Sequence, residues 1–361
     1  MESQVQTLVG KKTFPAVSVI LPVHPQYPGI KDDLHRLEGI VREVDTKLHS
    51  LYSNEKCKII LDKLKNAVNH LPVNHLSKTV VIYVSEEMEK YIALPFHVSE
   101  KVIIDNSFEL RDLIYSAARN VDFMALIIAQ NSVNTLVCNT TSSETTTLDN
   151  MPDNRRDVMN QHSLPGKEYA DLQAFKEKNI HNYLHFIDEV ISKELKNSNL
   201  PVVVFGDIKI LSYFKSHTHN TDRIIGYVDG NYEHANPQEI RRRAEPVILA
   251  ELQRKEQKAL NTLMDAVSRN TFASGIVDVW RAIEEGRGKL LLVEKDYCIK
   301  ARRGNDSFTI LLDDSPNNPH NIIRDAVDDV IETILRKSGE VMFFENGVLS
   351  SYDRIALITH Y

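Results

Sequence analysis

Cysteine is scarce in this chain. Its 361 residues include three, Cys57, Cys138 and Cys298, scattered without pairing or metal-ligand spacing. That excludes a disulfide scaffold or a zinc ribbon and fits a reducing cytosol, so a cytoplasmic location and no metal are expected. Long apolar runs are missing too. None approaches the roughly 18–20 residues that cross a bilayer, so no membrane partner is expected. The opening "MESQVQTLVGKKTF" has no long apolar core after a basic start and does not read as a secretory signal. Excess positive charge is also absent, the formal net charge being −7. Nucleic-acid binders usually show the opposite sign, so any RNA contact has to come from local patches. There is no Walker loop, nucleophile elbow or Ser/His/Asp arrangement, and no cofactor is expected. No internal repeat appears, and the nearest approach to low complexity is the Ser/Thr stretch "NTTSSETTTLDN".

What is present alternates strand and helix patterns, the grammar of an α/β protein. Three consecutive small α/β domains are predicted, over residues 1–120, 121–259 and 260–361. In the first, "AVSVILPV" and "KTVVIYVS" read as buried strands. Between them Leu34, Leu37, Val41, Val44, Leu48 and Leu51 recur at helical spacing. "SFELRDLIYSAARN" reads as a helix with Ser107 as N-cap. In the second, "VDFMALIIAQ" and "SVNTLVCNTT" form a hairpin, followed by a polar loop and a long helix from about Asp171 to Leu195. "LPVVVFG", a helix capped by Asp207 and "RIIGYVDG" imply a parallel strand pair. A long helix then starts near Pro237, with Pro246 inside it. In the third, "ASGIVDVWRAIEEGRG" is a helix, "KLLLVEKDYCIKA" and "SFTILLD" are strands, and a helix within "NPHNIIRDAVDDVIETILRKSGE" ends with Gly339 as C′ residue. Two terminal strands close the chain.

The passages "VVVFGDIKILSYF", "IIGYVDGNYEHANPQEIRRRA" and "GIVDVWRAIEEGRGKLLLVEKD" resemble the middle and C-terminal domains of archaeal and eukaryotic class-one release factors and of Pelota. The N-terminal "AVSVILPVHPQYPGIKDDLHRLEGIVREVDTKL" is similar to the bacterial branch of that family, within which the chain most resembles the Balon ribosome-hibernation factors. In true release factors the loop before the long helix carries Gly-Gly-Gln. Here that loop, "DNMPDNRRDVMNQHSLPGKEY", has no Gly-Gly pair, and Gln161 is flanked by Asn160 and His162. Neither Asn-Ile-Lys-Ser nor the Tyr/Cys/Phe stop-codon element is found. The resemblance therefore implies a non-catalytic protein that binds the A site of the 70S ribosome. It would touch 16S rRNA at the decoding centre and 23S rRNA at the peptidyl-transferase centre, delivered by elongation factor Tu. Off the ribosome a monomer is expected. Pelota-like rescue of stalled ribosomes, and hydrolysis of peptidyl-tRNA through Gln161 or His162, remain as alternatives.

Candidate contacts follow from residue chemistry. Arg, Asn and Gln bond phosphates and base edges, and His and Tyr stack on bases. On the decoding side the candidates are His24, Gln26, Tyr27 and Lys31, in a loop stiffened by two prolines. On the peptidyl-transferase side they are Asn154, Arg155, Arg156, Asn160, Gln161 and His162. The plain alternative for both is a solvated loop. Arg241 and Arg242, in "QEIRRRAEP", and Arg302 and Arg303, in the basic turn "KARRGND", are candidate contacts to rRNA or a factor. Three successive helical residues span about 200–300° of the circumference, so Arg241 to Arg243 cannot all face one phosphate row. His217 and His219 lack a third ligand nearby in sequence and read as a polar helix end. Trp280 and the pair Phe343–Phe344 read as core.

Overall fold

A computed structural model describes residues 5–11, 13–24, 29–71, 78–129, 132–139, 143–145, 172–312 and 322–361. The fold is mixed α/β, as the alternating patterns predict. It divides into two compact units, one combining residues 1–119 with 258–361 and the other spanning residues 120–257. Among the described residues no helix is long and apolar enough to cross a membrane.

The chain begins with β1 (Ala16–Pro22), α1 (Gly29–Leu51), α2 (Asn54–Asn69), β2 (Thr79–Val84), β3 (Glu89–Leu94), β4 (Lys101–Asp105) and α3 (Arg111–Arg119). The strands form an antiparallel sheet in the order β3-β2-β1-β4. Alternation along β1 divides its side chains between two cores. Val17, Val19 and Leu21 pack with Leu37, Val44, Ile60 and Leu64 of α1 and α2. Ala16 and Ile20 join the opposite core, which includes Phe108, Leu113 and residues of the C-terminal segment. The helix α2 was not anticipated, although Cys57, Ile60, Leu61 and Leu64 are buried along it at helical spacing.

Ser107 is not the N-cap of α3, which starts four residues later. Phe108 and Leu110 are buried. Between them, Glu109 donates its N–H to Ser18 Oγ at 3.0 Å and accepts from Tyr83 OH at 2.8 Å. Those tertiary bonds hold the strap extended and delay the helix.

The second unit runs β5 (Phe123–Ile128), β6 (Val133–Cys138), β7 (Ser143–Thr145), α4 (Leu172–Asn197), β8 (Val202–Gly206), α5 (Ile208–His217), β9 (Ile224–Asp229) and α6 (Pro237–Ser268). Its sheet has the order β7-β6-β5-β8-β9. β5 and β6 form the antiparallel hairpin, and β5, β8 and β9 are parallel. Asp207 caps α5 through the N–H groups of Lys209 and Ile210. A side chain at Gly226 would put its Cβ 2.4 Å from Val247 Cγ1, so β9 and α6 pack this closely only with glycine there. The first turns of α6 place Ile240, Ala244 and Ile248 in this unit's core. From Lys258 onward the chain belongs to the first unit, where Ala259, Leu263 and Ala266 join a core.

The chain closes with β10 (Phe272–Ser274), α7 (Ile276–Glu284), β11 (Gly288–Glu294), β12 (Ala301–Arg303), β13 (Ile310–Leu311), β14 (Ile322–Ile323), α8 (Ala326–Arg336), β15 (Glu340–Phe344) and β16 (Ile355–Thr359). One sheet has the order β10-β16-β11-β15, and a small antiparallel sheet has the order β13-β12-β14. Trp280, Phe343 and Phe344 are buried, as read from the sequence. The C′ residue of α8 is Ser338, at φ 63°, and not Gly339. Ser338 N–H donates to Leu335 O and Gly339 N–H to Ile334 O, the paired bonds of a Schellman ending. Gly339 is needed for space instead, because its Cβ would fall 2.5 Å from Ile334 Cγ1. "KARRGND" is not simply a turn. Arg302 and Arg303 belong to β12, so they face opposite sides of the small sheet.

Candidate functional site

Of the decoding-side candidates, His24 is the one whose side chain is described. Gln26 and Tyr27 lie outside the described residues, as does the side chain of Lys31. His24 is exposed, yet its ring and backbone are both tied down. Its N–H donates to Asp33 Oδ2 at 2.5 Å, and its Nδ1 lies 3.3 Å from Asp33 Oδ1. Asp33 is buried and also receives Arg36 Nη1 at 3.2 Å. Arg36 in turn bonds Pro22 O and Glu100. A buried carboxylate at the start of α1 thus anchors the residue that leads into the Pro/Tyr loop.

The peptidyl-transferase-side candidates, Asn154, Arg155, Arg156, Asn160, Gln161 and His162, lie outside the described residues. On α6, Arg242 is exposed and Arg241 half-buried. Arg241 Nε is buried with no hydrogen-bond partner among the described residues. Arg302 is half-buried. Arg303 sits 3.6 Å from Asp329 and 5.9 Å from the centroid of Trp280, so its charge is partly committed within the fold.

The first unit holds a cleft of about 790 Å³ between the segment around Lys101–Asp112 and α7–α8. Charge dominates its lining. Lys101 pairs with Asp112 at 3.0 Å and Glu109 at 3.7 Å, and Arg324 with Asp105 at 3.8 Å. Arg111, buried, donates to Tyr297 O at 2.5 Å and pairs with Asp325. Burial pushes the carboxyl of Glu109 up, against the pull of Lys101 and Arg111. Burial likewise pushes Asp329 up to about 7, against Arg303. Cys298 borders the same cleft, and desolvation together with Asp325 raises its thiol, which works against a thiolate nucleophile. The cleft therefore reads as a polar joint held by ion pairs.

Residues 122–287, which run from β5 into the loop after α7, match bacterial archaeo-eukaryotic release factor family 3. That segment is release-factor-like. The family description does not single out the Balon group. Solved structures that the chain matches include an archaeal translation termination factor aRF1, at 12% identity over 100% of this chain and 96% of that one, with a TM-score of 0.24. A ribosome-bound archaeal Pelota is 14% identical over 78% and 77%, with a TM-score of 0.43. Dom34 of S. cerevisiae is 12% identical over 78% and 79%, with a TM-score of 0.39. No curated protein sequence matches the chain.

The release-factor-like middle segment contains a feature that sequence reading missed. His217 and His219, set aside as a helix end, are joined by His181 and His185 of α4. The ring centroids of His181 and His217 are 4.6 Å apart, those of His185 and His219 6.4 Å, and those of His181 and His185 6.5 Å. Beneath them Asp188 is buried. It accepts from Thr218 Oγ1 at 2.5 Å, from His219 N–H at 3.0 Å and from Asn220 Nδ2 at 2.8 Å. Its carboxyl, which burial alone would raise, is held below the usual range by these bonds. The i, i+4 spacing of His181 and His185 was a readable signal, but which helix they would face was not. Among the described residues, no three His, Cys, Asp or Glu side chains converge to hold a metal ion.

Proposed function

We propose that this chain is a non-catalytic ribosome-binding protein of the hibernation type, which occupies the vacant A site and shields it. The observation that carries the reading is a release-factor family match over residues 122–287 in a chain whose loop 149–169 has no Gly-Gly-Gln. Two adjacent glycines would let the backbone approach the peptidyl-transferase centre closely. Without them the loop keeps groups that bond RNA but loses the catalytic tip. Residues 1–120 would face the decoding centre through His24, Gln26, Tyr27 and Lys31. Residues 121–259 would face the peptidyl-transferase centre through Asn154 to His162. Residues 260–361 would lie on the factor side, with elongation factor Tu as the delivering GTPase and Arg302 and Arg303 within reach of it. Affinity would come from several weak contacts held on one chain, which multiply through effective concentration. The protein would act in the cytoplasm as a monomer before binding.

Co-sedimentation of the full chain with vacant 70S ribosomes tests this reading, with A-site tRNA as competitor. Binding should weaken steeply with salt, as RNA-binding cations displace counterions. Intact 70S particles in the gradient support shielding, whereas free subunits would favour Pelota-like rescue. Peptide release from charged complexes would instead make the chain a hydrolase acting through Gln161 or His162. Grafting Gly-Gly-Gln into the loop should not create release, because a misplacement of about 1 Å can cost on the order of a hundredfold.

A further inference from the structure

We propose that His181, His185, His217 and His219 form an RNA-docking surface on the second unit. The proposal rests on the ribosome-binding reading above but concerns residues that reading does not use. All four histidines are exposed, and they come from three places: α4, the last turn of α5 and the segment just after it. Their inner edges are anchored. His217 Nδ1 lies 2.9 Å from Tyr213 O, and His219 Nδ1 lies 3.0 Å from Asp188 Oδ2. A carbonyl or carboxylate facing Nδ1 keeps the proton there and leaves Nε2 as the free edge. Two of the rings are therefore oriented before any ligand arrives.

The surroundings favour an anionic, base-bearing partner. On α4, Lys178 precedes His181 by three residues on the same stripe and is exposed. Asp188 is buried, and exposed Glu189 lies 3.7 Å from His185 Nδ1. On α5, Tyr213 is 38% exposed one turn before His217, and Lys215 lies over the Tyr227 ring of β9. Asp222 follows in the adjoining turn and is exposed. The patch thus offers four imidazoles, two lysines and a tyrosine, with Glu189 and Asp222 as the exposed carboxylates beside them, in a chain whose net charge is −7. Imidazole and phenol rings stack on bases, and protonated imidazole donates to phosphate. Neighbouring imidazoles repel one another once both are protonated, and a bound phosphate removes that repulsion. RNA should therefore bind more tightly as the pH falls. The rings spread along a surface and do not converge on one point, which argues against a metal ion as occupant.

The test uses the full chain and a fluorescein-labelled single-stranded RNA of about 20 nucleotides, comparable to the reach of a single-strand binding groove. Anisotropy is read near pH 6 and near pH 8, with EDTA present. The wild type should bind roughly tenfold more tightly at the lower pH, as expected when two cations gain phosphate contacts. His181→Gln with His185→Gln should clearly reduce that pH dependence, with His217 and His219 remaining, and leave affinity near pH 8 within about twofold. Thermal melting at both pH values checks that the variant is folded. The idea fails if the RNA does not bind, if affinity is the same at both pH values, if the variant keeps the full pH response, or if EDTA abolishes binding. Co-sedimentation of the wild type with 70S ribosomes is run beside it. Ribosome binding without an imidazole-dependent RNA response rejects the patch alone, and absent ribosome binding rejects the wider reading.

Discussion

Asp328 of α8 accepts the backbone N–H of Arg111 at 2.9 Å, so a carboxylate from the C-terminal segment caps a helix that begins 217 residues earlier. The first N–H groups of a helix have no partner inside it. Here one of them is met from far along the chain. The Arg111 side chain returns the contact by pairing with Asp325, whose other oxygen accepts the N–H of Val327 in the first turn of α8. Two helix starts thus share one ion-pair cluster. Asp328 is buried, and burial pushes its carboxyl well up while Arg111 pulls it down.

Removing that arginine should loosen the first unit. Arg111→Met leaves buried carboxylates without their cation, a loss of about 3–5 kcal/mol for a broken buried pair. Trp280 is the sole tryptophan and lies in the same unit, so its fluorescence in a urea titration reports this unit. An unchanged midpoint would mean that the cluster contributes nothing.

Asp329 gives a pH dependence of definite sign. Its carboxyl is raised to about 7 in the folded state, chiefly by burial. The folded protein keeps a proton that the unfolded chain releases near pH 4, so this group's contribution is complete below that value and is lost as the pH rises through about 7. Asp329→Asn stays neutral throughout. Relative to this variant, the wild type should lose stability between about pH 5 and pH 8, measured by urea midpoints. Parallel curves would show that Arg303 alone sets the state of this carboxyl.

The end of α8 separates two reasons for glycine. Ser338 occupies the left-handed region, where an L-residue costs about 1–2 kcal/mol. Ser338→Gly should therefore leave stability unchanged or raise it by up to about 1 kcal/mol. Gly339→Ala should lower it by about 1–3 kcal/mol, because the new methyl overlaps Ile334. Thermal melting of the two variants decides the matter, and a reversed order would sink the assignment.

On the ribosome, the two proposed tips should matter for binding and little for folding. Tyr27→Ala, and separately Arg155→Ala with Arg156→Ala, should lower ribosome occupancy. A lost stacking aromatic costs roughly 1–3 kcal/mol of binding. Melting should shift by less than about 0.5 kcal/mol, as for most surface changes. The variant lacking both tips should lose more than either alone. Full occupancy in that variant would leave the remaining surfaces, or a helper GTPase, holding the complex.

Sequence by itself determined what depends on near neighbours. Short continuous apolar runs in "AVSVILPV" and "VVVFG" defined buried strands, Asp207 announced its helix, and the hairpin of β5 and β6 was readable from two short runs. The missing glycine pair in loop 149–169 was equally plain. Period and capping act over a few residues, so they survive without tertiary context. Tertiary structure decided what depends on partners far away. Ser107 lost its helix because Ser18 and Tyr83 hold Glu109 in an extended strap. Arg303 met Trp280 and Asp329 instead of open solvent. His217 and His219 became part of a four-imidazole surface only when α4 came to lie beside α5. Each of these contacts closes a long stretch of chain, and the packing of apolar faces chose which stretches close. That choice is a property of the whole fold and is written in no single segment.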